Sequence, residues 1–175
     1  MGTRQHGDHT KEEIKQRYIQ KCRTSTSSTI GIRLGGLQVY QANTGKYICH
    51  NKYYGRSLSL EGFKEALHQY LHNGHELRTD LVDPIITQLQ KCAHFLRKKD
   101  TFRFYGSSLL FIYEGGVSDK QCHMSNNCQI DIRMIDFARS THIGIHEDKT
   151  IVNNGPDSGY LFGLGHLIDL FTEIK

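Results

Sequence analysis

From Ile130 to Ser140 the chain reads Ile-Asp-Ile-Arg-Met-Ile-Asp-Phe-Ala-Arg-Ser, apolar first at alternate positions and then in a run. That pattern predicts a strand running into the core. It ends on a carboxylate, Asp136, followed by an aromatic and a small residue. A carboxylate after buried strand residues is costly unless it is hydrogen-bonded, paired or holding a cation. Two readings stand side by side: Asp136 caps the following loop, or it holds Mg²⁺ at a strand end, as in phosphoryl-transfer sites where the metal bridges protein and nucleotide phosphates.

A chain of 175 residues suits one domain with a sizeable core, and its 37% hydrophobic and 23% charged residues are those of a globular protein. No apolar run approaches the ~20 residues of a bilayer crossing. The opening residues, Met1 to Gly7, contain no apolar signal core. Five scattered cysteines without a Cys-x-x-Cys pair read as reduced thiols. Cys122, His123 and Cys128 lack a fourth zinc ligand at regular spacing. Cytoplasm or nucleus is the expected compartment. The formal charge of +4 suits an anionic partner.

Thr10-Lys11-Glu12-Glu13 reads as a capping box opening a helix from Lys11 to about Cys22, with Ile14, Tyr18 and Cys22 on one stripe. Lys11 with Lys15, and Arg17 with Lys21, are basic pairs at helical spacing, either a solvated face or cations presented to a polyanion. Thr24 to Ser28 is a polar link, and Thr29 to Gln41 with Lys46 to Lys52 predicts a hairpin turning at Asn43-Thr44-Gly45. Gly31, Gly35 and Gly36 in its first arm suggest a bulge or a close approach. Arg33 sits there among apolar residues with no acidic neighbour, as a buried ion pair or a phosphate clamp.

Lys52 to Arg56 reads as a basic-aromatic turn. Ser59 is expected to cap a helix carrying Phe63, Ala66, Leu67, Tyr70 and Leu71 inward and ending near Asn73-Gly74. Asp83-Pro84 opens another, with Ile85, Leu89, Cys92 and Leu96 inward. Thr101 to Glu114 is one strand or two joined at Gly106-Ser107-Ser108. A last helix, Tyr160 to Ile174, buries Leu161, Leu164, Leu167, Ile168 and Phe171.

Seven stretches in order resemble the inositol polyphosphate kinase family, most of all its inositol hexakisphosphate kinase branch. They are Met1 to Asp8; Ile30-Gly31-Ile32-Arg33 with Gln38-Val39-Tyr40; Asn51 to Arg56; Tyr70 to Gly74; Tyr105 to Leu110; Ile135-Asp136-Phe137-Ala138; and Gly155 to Tyr160 with Phe162-Gly163-Leu164. The resemblance implies an α+β fold, the larger C-terminal lobe of a two-lobed kinase, with antiparallel sheet and about four helices over residues 1–175. It also implies Mg²⁺-dependent transfer of phosphate from ATP to an inositol polyphosphate, giving an inositol pyrophosphate in this branch.

By the same resemblance, Asp136 holds the metal and Ser108 and Arg139 lie at the ATP phosphates. Arg4, His6, Lys15, Arg17, Lys21, Arg33, Lys52 and Arg56 form the basic substrate pocket, Arg33 and Lys52 foremost. The family signature Pro-x-x-x-Asp-x-Lys-x-Gly enters this chain only at its last two positions, Met1 and Gly2. Its Asp and Lys are expected before Met1, together with the smaller lobe, so no catalytic residue is assigned here and these residues alone are expected not to turn over ATP. The alternative function is an inactive inositol polyphosphate-binding module. No nucleic-acid module motif and no membrane-inserting segment is seen.

Overall fold

The computed structural model describes residues 1–115, 130–142 and 154–175. Cys122, His123 and Cys128 lie outside them.

Two long helices form the centre. Helix α5, Val82–Arg97, and helix α6, Ser158–Ile174, each carry apolar residues at helical spacing and pack on one another. Ile85, Leu89 and Leu96 of the first and Leu164 and Phe171 of the second are fully enclosed. Helix α4, Leu60–Leu71, closes the same core with Phe63, Ala66, Leu67 and Leu71. As expected, Ser59 caps it, its Oγ accepting from the Gly62 amide at 3.1 Å. The Asp157 carboxylate caps α6 by accepting from Tyr160 N at 3.0 Å, and its other oxygen accepts from Phe104 N at 2.9 Å.

The strands pair antiparallel, as expected, in three separate two-stranded ladders among the described residues. Strand β1, Leu37–Gln41, pairs with β2, Lys46–His50, across the anticipated turn. The 101–114 segment is two strands, β3, Phe102–Phe104, and β4, Ser108–Tyr113. Strand β4 pairs with β5, Ile130–Ile135, placing Ser108 opposite Ile135, while β3 pairs with β6, Ser140–His142. On the far side of β5, the Gln88 amide of α5 donates to Ile130 O and accepts from Ile132 N, which occupies edge groups otherwise open to another chain.

Several sequence expectations change. The strand before Asp136 does not run into the core: it alternates to its end, Ile135 is exposed, and so is Asp136. Thr10 is not a cap; helix α1, Glu12–Arg23, starts one residue later from Lys11 with no side-chain cap. Asp83 lies inside the first turn of α5, which follows a 3₁₀ turn at Thr79–Leu81. Ser25, Thr26 and Ser27 of the polar link are buried, and Ser27 opens helix α2, Ser27–Ile30, so the first hairpin arm starts only at Leu37. Burial is possible because the hydroxyls are used: Ser25 Oγ donates to Lys21 O at 2.7 Å and Thr26 Oγ1 to Ile32 O at 2.7 Å. Finally, Lys52–Ser57 is helix α3, not a turn.

Burial of phenols sets how the fold responds to alkali. Desolvation holds Tyr113 up to about 12 and pushes Tyr70 and Tyr160 up as well. An unfolded tyrosine titrates near about 10. Above that pH the folded chain keeps protons that the unfolded chain has lost, so stability falls as pH rises. The desolvated thiols of Cys22 and Cys92 act in the same direction from about pH 8.5. We expect the urea midpoint to fall progressively from pH 8.5 to 11; an unchanged midpoint would show these groups to be solvated.

Candidate functional site: a cation cluster beside Asp136

The site begins where α2 stops. Gly31 ends that helix in the left-handed conformation (φ 69°), and a Cβ there would lie 2.8 Å from Phe162 and 3.1 Å from the backbone of Gly163. Only glycine fits both demands. The turn buries Ile32 and sends Arg33 outward, half-buried over α1. Its Nη1 donates to Ser27 Oγ at 3.4 Å, and the Cys22 thiol lies beside it. No carboxylate pairs with Arg33 among the described residues, so the ion-pair reading falls away. Desolvation by burial lowers its pKa, and Arg56 and Arg139 lower it further.

Helix α3 supplies the next cations. Asn51 caps it, Oδ1 accepting from Tyr53 N at 2.9 Å and Tyr54 N at 3.2 Å. Gly55 in its middle is required because a Cβ would lie 2.1 Å from Leu34 O, so the 33–36 segment runs hard against the helix. That contact brings Arg33 towards Arg56. Lys52 and Arg56, one turn apart, flank the exposed ring of Tyr53 at 5.4 and 5.6 Å.

Helix α1 contributes Lys21. Burial lowers its pKa first, and then Arg56, Arg33, Arg139 and Lys52 lower it in turn. Lys21, Arg33, Lys52, Arg56 and Arg139 thus share one field though they come from four segments of the chain. The carboxylate beside this group is Asp136, 3.8 Å from Arg139 Nη2. Uncompensated like charges destabilise a fold, and such a concentration is the electrostatic form of a polyanion site.

Asp136 has the positive φ of 61°, the one non-glycine residue so placed among those described. A non-glycine residue in that conformation is uncommon, Asp being among the better tolerated, and it turns the carboxylate out of the strand line. Its side chain is half-exposed and accepts nothing from the following turn, so the loop-cap reading is not supported. A hard oxygen donor with free lone pairs suits Mg²⁺. No cluster of three His, Cys, Asp or Glu exists among the described residues. Ser108, exposed opposite Ile135, lies at the same end of the β4–β5 ladder. A cavity of about 240 Å³ opens between residues 7–10 and 138–141, against Arg139.

Of the other four residues expected in the substrate pocket, three make contacts elsewhere. Arg4 pairs with Asp8, donates to His6 O at 3.0 Å and lies 4.9 Å over Tyr105. His6 is buried, its Nδ1 3.3 Å from Gly7 O. Lys15 pairs with Glu12 at 3.6 Å, and Arg17 is exposed on α1. Tyr18, on one stripe of α1 with Ile14 and Cys22, sits among the cations: Arg139 Nη1 donates to its hydroxyl at 2.5 Å, and Lys21 Nζ lies 5.5 Å from its ring. Nothing local in the sequence distinguishes it, because α1 must first be oriented by burial of Cys22.

A group of cations from four segments beside an exposed carboxylate has the electrostatic form of a phosphate-binding site, and known proteins give the chain its family. The family model of inositol polyphosphate kinase matches residues 1–172. Mouse inositol hexakisphosphate kinase 1 is 43% identical over 204 aligned positions, covering 100% of this chain and 47% of that protein. Human inositol hexakisphosphate kinase 3 is 44% identical over 191, covering 100% and 46%. The S. cerevisiae inositol phosphate multikinase solved with ADP and Mn²⁺ superimposes with a TM-score of 0.81 at 23% identity, over 99% of this chain and 75% of that one. The chain belongs to the inositol polyphosphate kinase family. It spans about half the length of the relatives it matches, 47% of the mouse protein.

Proposed function

We propose that this chain carries the acceptor-binding and metal-holding face of an ATP-dependent inositol polyphosphate kinase that phosphorylates inositol hexakisphosphate to inositol pyrophosphates. The observation that carries this reading is the convergence of Lys21, Arg33, Lys52 and Arg56 beside Asp136. An acceptor bearing six phosphates calls for several cations, since phosphoryl transfer is mostly positioning and charge neutralisation. The relatives named as inositol hexakisphosphate kinases support the choice of acceptor, and the multikinase holding ADP and Mn²⁺ supports a nucleotide and a divalent metal.

In this reading Arg33 and Arg56, with their fixed guanidinium forks, can each take a phosphate bidentately, while Lys21 and Lys52 act as point charges around the ring. Asp136 would hold Mg²⁺, with Ser108 and Arg139 beside it at the nucleotide phosphates. The bound ion supplies neutralisation of charge on the phosphates. The free thiols of Cys22, Cys49 and Cys92 support a reducing compartment, cytoplasm or nucleus. No helix among the described residues is long and apolar enough to cross a membrane.

Calorimetric titration with inositol hexakisphosphate tests the reading. Saturable binding that weakens steeply with salt is expected. Failure to bind at physiological ionic strength would overturn it. Radiolabelled transfer from ATP then separates the kinase from a module that only binds.

A further inference from the structure

Arg139 is held from three sides, and one of them comes from a different part of the chain. Gly106, at φ 69°, leaves the slot that its guanidinium fills, since a Cβ there would lie 2.7 Å from Nη2 and 2.9 Å from Nε. Asp136 Oδ2 stands 3.8 Å from Nη2. From α1, the Tyr18 hydroxyl accepts from Nη1 at 2.5 Å, with the guanidinium carbon 4.9 Å from the ring centroid. The other neighbour of that ring is Lys21, 5.5 Å away, a member of the cation cluster. Tyr18 is therefore the side chain in contact with both halves of the site: the acceptor cations and the turn that carries the metal carboxylate.

We propose that Tyr18 is a positioning residue that aims Arg139 between the Asp136 carboxylate and the place where nucleotide and acceptor phosphates meet, so that it touches the acceptor as well as the nucleotide. Among the described residues the phenol is the hydrogen-bond partner of Nη1, and its removal would free the guanidinium to close onto Asp136. An Arg139–Asp136 pair so tightened would neutralise the carboxylate wanted by the metal and withdraw the cation wanted by phosphate. A hydroxyl is suited to this task because it accepts from the guanidinium without carrying a charge that would compete for it. The stacked ring adds attraction for both Arg139 and Lys21. Arg139 thus contacts the ligand, and Tyr18 acts through it.

This inference rests on the kinase reading above, so its test has one arm that needs no ligand. In the full chain, Tyr18→Phe keeps the ring and removes the acceptor. Nitrogen-15 spectra of the Arg139 guanidinium should show slowed rotation in the wild type and averaged signals in Tyr18→Phe. With inositol hexakisphosphate, Tyr18→Phe should bind about fivefold more weakly, the scale of one hydrogen bond to a charged group near the surface. Arg139→Lys, which keeps the charge but cannot bridge Tyr18 and Asp136 together, should lose a similar factor, and Tyr18→Phe in that background should lose nothing more. An Arg139 signal that ignores Tyr18→Phe, or losses that multiply in the double variant, overturns the proposal. A wild type that shows the slowed Arg139 signal but binds no inositol hexakisphosphate keeps the Tyr18–Arg139 link and overturns the acceptor reading.

Discussion

With Arg33 and Lys52 both changed to alanine, inositol hexakisphosphate is expected to bind at least about a hundredfold more weakly than to the wild type. Each hydrogen bond to a charged group contributes about 1.5 kcal/mol or more, and two at that lower bound give roughly a hundredfold. Arg33 should account for the larger share. It is half-buried, where charges interact more strongly than in bulk water, whereas Lys52 is exposed. The same substitutions relieve repulsion: burial and the neighbouring Arg56 lower the Arg33 pKa, so in the empty protein its charge works against folding. The double variant should therefore melt no lower than the wild type without ligand, and it should lose the extra thermal protection that ligand gives. Lys46→Ala, an exposed change at the hairpin turn, should alter affinity by less than about twofold, as befits a remote charge screened by salt. Tight binding by the double variant would move the acceptor elsewhere.

The two cations in that experiment could be singled out from the sequence because each has a local abnormality. Arg33 lies in an apolar stretch without an acid, and Lys52 stands in a basic-aromatic run. Lys15 and Lys21 look alike in one dimension, both belonging to basic pairs on α1. Burial of Cys22 decides between them by turning Lys21 into the site, and it leaves Lys15 to Glu12. Elements with local signals fared the same way: Ser59, the Asn43-Thr44-Gly45 turn and the break at Gly106 stand where their chemistry put them. The misread segments were shaped by contacts distant in sequence. Helix α3 contains Gly55 because Leu34 presses on it, and glycine in a short polar segment reads as a turn. Ser25 and Thr26 are buried through bonds to backbone carbonyls that composition does not reveal.

The largest effect on stability is expected far from the cations, at a pair that hydropathy patterns conceal. Arg78 and Asp80 are charged and two residues apart, yet each side chain is only 1% exposed. The contact is a two-pronged fork: Nε donates to Oδ1 at 2.8 Å and Nη2 to Oδ2 at 2.7 Å. Arg78 Nη1 also donates to Glu114 O at 3.2 Å, and the guanidinium lies 6.0 Å from the Tyr113 ring. One side chain thereby joins the exit from α4, the start of α5 and the end of β4. Asp80→Ala would take from an enclosed guanidinium both prongs of this carboxylate fork, at a cost of about 3–5 kcal/mol. For a domain of this size that lowers the melting temperature by roughly 10 °C. If the loss comes from the stranded charge, removing both charges should be milder: Arg78→Met with Asp80→Leu, apolar replacements for the pair, should recover most of it. Should the double variant prove less stable than Asp80→Ala alone, the fork's bonds to β4 would outweigh the cost of burying the charges, and Arg78 would be holding the strand in place rather than being held by its neighbour.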